Sequence, residues 1–116
     1  MEFNHEADSP LYAEEKFAEA LDALIWAPGD VRRRLQTALT FLIRLRGKSA
    51  PFPAGTDAQA RYDRFISRLT STPANAEGEW TIAASVRGLD HIELASVVSE
   101  FLELFRELVI QNADPD

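Results

Sequence analysis

The only imidazoles in this chain are His5 and His91, and cysteine is absent altogether. Without cysteine there is no thiolate nucleophile, no disulfide and no sulfur-ligated zinc or iron–sulfur site. Two isolated histidines make a poor metal centre. Asp90 and Glu93 flank His91, but neighbours on one helical turn do not converge on an ion without ligands from elsewhere, and no paired-histidine spacing occurs. His91 is therefore expected to pack at a helix end. The carboxylate pairs Glu14 with Glu15 and Glu103 with Glu107 have the residue types of acid–base or di-metal chemistry. Bundles that bind metals project Glu and Glu-x-x-His pairs inward, however, and the one such pair here, Glu2 with His5, lies in a leader ahead of the first predicted helix. Ser71, Ser85 and Ser99 have no triad context. Gly47, Lys48 and Ser49 spell the end of a phosphate loop, but Leu42 stands where its first glycine belongs and no strand precedes it. The expectation is a protein with no catalytic residues, no metal, no cofactor and no small-molecule substrate.

Charge carries more information. From Met1 to Gly29 seven acids face the single base Lys16; from Asp30 to Ser71 nine bases face three acids; from Thr72 to the end nine acids face two bases. The formal net charge of −7 thus conceals an acid–base–acid pattern. Arg61, Arg64 and Arg68 recur at i, i+3, i+7 beside an apolar helical face, and Glu100, Glu103 and Glu107 repeat that spacing. The stripes either bridge one another at the rim of one fold, or present separate basic and acidic surfaces to a partner or a second copy. Arg33, Arg44 and Trp80 join them as candidate contact residues, Trp80 as an anchor or as part of the core. A third reading sends the arginines to phosphates, but the acidic remainder and the lack of interleaved aromatic residues weigh against nucleic acid.

The elements that must position these residues are helices. Gly and Pro fall between apolar-periodic segments. Ser9 and Pro10 start a first helix that ends near Trp26, with Ala13, Phe17, Ala20, Leu21, Leu24 and Ile25 inward and Trp26 closing the core. A second helix runs to about Arg46 with Val31, Leu35, Ala38, Leu39, Leu42 and Leu45 inward, antiparallel to the first because the turn between them is short. The stretch GKSAPFPAGT is a loop whose Phe52 docks on the core. Thr56 or Asp57 caps a third helix reaching Thr70, with Ala58, Tyr62, Phe65, Ile66 and Leu69 on one face. Trp80–Val86 is short and partly β-branched, and is taken as a short helix because no partner strand exists. Asp90 with Glu93 three positions on has capping-box spacing and opens a last helix to about Asn112. Its apolar arc spans roughly 160°, wider than an ordinary surface stripe, so this helix is central or doubles as an interface.

The fold expected is all-α: a compact antiparallel bundle of four main helices plus one short one, over residues 9–112. Residues 1–8 form a flexible acidic leader and 113–116 a disordered tail. No signal-peptide pattern begins the sequence and charges interrupt its most apolar stretch, so a cytoplasmic protein without a membrane span is expected. The functional expectation is a protein–protein interaction module that uses segregated charged faces and self-associates. The alternatives are an acidic, antitoxin-like inhibitor that occludes a basic site, and an RNA-binding accessory subunit.

Overall fold

A computed structural model of the chain describes residues 10–43, 45, 49–70 and 81–113. They form five helices: α1 Pro10–Trp26, α2 Val31–Leu42, α3 Asp57–Thr70, α4 Thr81–Arg87 and α5 His91–Ala113. No strand occurs among the described residues. The fold is an all-α bundle, with four main helices and a short α4. Helix α1 packs on α2 and α5, α3 packs on α5, and α4 sits against α2 and α3.

The helix starts follow local chemistry. Asp30, extended at φ −79° and ψ −177°, accepts from the Arg33 N–H and opens α2. The Thr56 hydroxyl oxygen accepts from the Gln59 N–H at 3.2 Å, so Thr56 is the cap of α3. At α5 the capping box closes in both directions, with Glu93 N–H donating to Asp90 at 2.8 Å and Asp90 N–H to Glu93 at 2.9 Å. The expected cap Ser9 lies outside the described residues.

The core joins one stripe from each helix: Ala13, Phe17 and Ala20; Leu35, Leu39 and Leu42; Tyr62, Phe65 and Leu69; Ile82 and Val86; and Leu94, Val97, Phe101, Leu104 and Leu108. Phe17 lies at its centre, stacked on Phe101 at 5.6 Å and tilted against Phe105 and Tyr62. Phe52 docks on the core as expected, buried with Pro51 and Leu45. Its N–H donates to the buried Gln59 side chain at 3.1 Å, whose amide donates in turn to Asp63. Gln111 of α5 donates to the Pro51 carbonyl, so the loop is pinned from two helices.

Four expectations are corrected. Helix α2 ends at Leu42, not near Arg46. The Leu42 carbonyl, which in a longer helix would accept from the amide of residue 46, accepts instead from the Tyr62 hydroxyl and the Leu45 N–H. Trp26 is 80% exposed because it lies nine residues beyond Phe17, half a turn away from the buried stripe. Ile25 and Val31 also stand exposed, flanking the turn that joins α1 to α2. His91 is exposed in the first turn of α5 and does not pack there.

Candidate interaction surface

The arginine and glutamate stripes meet across the α3–α5 seam. Arg61 reaches over it with Nε and Nη2 on Glu100 Oε2, at 3.3 and 3.2 Å, and Nη2 on Glu103 Oε1 at 2.9 Å. About a third of the Arg61 and Glu100 side chains remains exposed, so the bridge is screened by water and salt. Arg64 and Glu107 are exposed and form no ion pair among the described residues. Arg68 is exposed and engaged. Together with Phe65 and Glu100 the three arginines line an open depression of about 330 Å³. Arg44 and Trp80 lie outside the described residues.

Two other arginines of the basic segment serve helix C-termini, a role that sequence reasoning missed. Arg34 donates to the Ile25 carbonyl at the end of α1, and Arg32 to the Val86 carbonyl at the end of α4. Arg33 contributes its backbone N–H to the Asp30 cap, and its side chain fills the space beside Gly29, whose φ of +102° makes the hairpin turn. A β-carbon at Gly29 would fall 2.5 Å from Arg33 Cδ. The general signal was available, since basic side chains favour helix C-termini. Knowing which end each arginine reaches required the tertiary fold.

Acidic side chains are likewise tied locally. Glu14 accepts from Asn112 at 2.8 Å, joining the start of α1 to the end of α5. Lys16 donates to Glu19 at 3.0 Å, and that hydrogen bond raises the lysine pKa above its ordinary value. Among the described residues, no three metal-ligating side chains converge. No helix there is long and apolar enough to cross a membrane.

The wide apolar arc of α5 resolves into two adjacent seams. Leu94, Val97, Phe101, Leu104 and Leu108 are buried in the bundle. One residue further on, Ala95, Leu102 and Val109 recur every seven positions on the exposed side, above the half-buried Val98 and Phe105. Helix α1 has the same repeat in Leu11, Ala18 and Ile25, on the flank that borders α5. Leu11, Ile25, Leu102 and Val109 are 54, 48, 44 and 41% exposed. Because α1 and α5 are antiparallel neighbours, joined by Phe17–Phe101 and Glu14–Asn112, helical geometry sets both rows along the seam between them.

Comparison with protein-family models, with curated proteins and with solved structures found no match.

Proposed function

We propose that this chain is a non-enzymatic protein–protein interaction module: an adaptor, regulatory or small assembly subunit that binds through helical faces in the cytoplasm. One observation carries this reading, the paired seven-residue rows of exposed apolar side chains on α1 and α5. Single exposed leucines are ordinary on any protein, but a contiguous apolar face with charged borders is the usual mark of a binding surface. The segregated charges support the reading less directly than their pattern suggests. Arg61 bridges to Glu100 and Glu103 within the fold, which leaves Arg64 and Glu107 as exposed stripe residues that form no ion pair among the described residues.

Affinity purification tests this, with tagged wild type compared quantitatively against Leu102→Glu in cells that also make the untagged chain. Leu102 is exposed, so the substitution should leave circular dichroism and melting unchanged while removing at least one wild-type partner, the chain itself included. Identical recoveries from the two baits would refute the reading.

A further inference from the structure

We infer that the α1–α5 face receives the same face of a second copy of this chain, so that α1 of each protomer lies on α5 of the other. The inference rests on the interaction-module reading and names the partner. Its first support is self-complementarity. Leu11, Ala18 and Ile25 run antiparallel to Val109, Leu102 and Ala95, at matching heights along the helices. A seven-residue apolar repeat packs best against helices with the same repeat, and rotation about a two-fold axis along the helices supplies one. Ala18 then faces the partner's Leu102, and every helix in the four-helix layer has antiparallel neighbours.

Charge selects this pairing over its alternative. The outer edge of α1, next to the apolar row, carries Glu15 and Asp22, whereas the matching edge of α5 carries Arg106. Arg106 is exposed and forms no ion pair among the described residues. Placing α1 on α5 turns Arg106 toward the acidic edge of the partner's α1. Placing α1 on α1 would set acid against acid, a repulsion that discriminates between registers.

At 1.5 Å per residue and with axes 8–10 Å apart, the face covers on the order of 500 Å² per copy, below the ~800 Å² of a standard interface. The dimer should therefore dissociate on dilution.

Sedimentation equilibrium on the full chain, from low micromolar to millimolar concentration, tests this. Wild type should move from monomer to dimer. Leu102→Glu should remain monomeric with an unchanged melting curve. Arg106→Glu, also exposed, should weaken association about threefold to tenfold. In a chain without cysteine, mixing Ala18→Cys with Leu102→Cys should give a cross-linked dimer in higher yield than either variant alone. A monomer throughout, a dimer indifferent to Leu102→Glu, or cross-linking dominated by Ala18→Cys alone would overturn the inference. If the isolated chain is monomeric while Leu102→Glu still loses another protein in the purification, the second copy is refuted and the interaction module stands. If both experiments are negative, both readings fail.

Discussion

Gln59 is the residue whose role is furthest from its type. A glutamine on a helix flanked by Ala58 and Ala60 reads as surface, yet its carbonyl accepts the N–H of the buried Phe52 and its amide reaches Asp63. Gln59→Leu keeps the volume and removes the acceptor, leaving a buried N–H without a partner. That should destabilise the fold by about 1–3 kcal/mol in urea denaturation. A loss below about 0.5 kcal/mol would show that the loop does not depend on this bond, since ordinary surface substitutions fall in that range. Phe52 docking was legible from its two flanking prolines, because an aromatic residue held in a short stiff loop has little choice but the core. Gln59 was not, since periodicity ranks residues by polarity and has no term for a loop backbone that needs an acceptor. Trp26 misled for the opposite reason: its bulk suggested the core, whereas its angular position on α1 already placed it outside.

Between elements, the α3–α5 seam shows what a charge stripe does once a fold exists. The matching spacings of Arg61, Arg64 and Arg68 with Glu100, Glu103 and Glu107 were plain in the sequence, but spacing alone does not say how far apart two helices stand. The seam brings Arg61 to Glu100 and Glu103 and leaves Glu107 outside any ion pair among the described residues. Arg61→Ala should cost about 0.5–1 kcal/mol at low ionic strength, because the pair is part-exposed and forked over two carboxylates. The difference from wild type should shrink in high salt as screening weakens the native bridge. A salt-independent loss would assign the effect to the packing of the arginine stem instead. The starts of α3 and α5 could be read because each carries its cap in the adjacent sequence. The end of α2 could not, since it is set by Tyr62, twenty positions away on another helix.

For the whole molecule, Phe17 is the point at which α1 meets both α3 and α5. Phe17 contacts rings from both α3 and α5 and is fully buried, so Phe17→Ala should remove about 3–5 kcal/mol. Against a usual total of about 5–15 kcal/mol, this leaves a marginal fold whose melting curve should broaden and fall by many degrees. The number and type of the helices could be read from periodicity, but their neighbours could not, because an amphipathic stripe does not state which other stripe will cover it. The answer has a kinetic consequence. Glu14 and Asn112 stand 98 positions apart, so the α1–α2 hairpin can assemble from local contacts while the closure by α5 must bring distant segments of chain together. Docking of α5 is accordingly expected to follow formation of the hairpin, and stopped-flow refolding would check the order. Until it occurs, a chain emerging from the ribosome carries the Phe17 side of its first helix uncovered, and the order of synthesis itself sets how long that surface must wait.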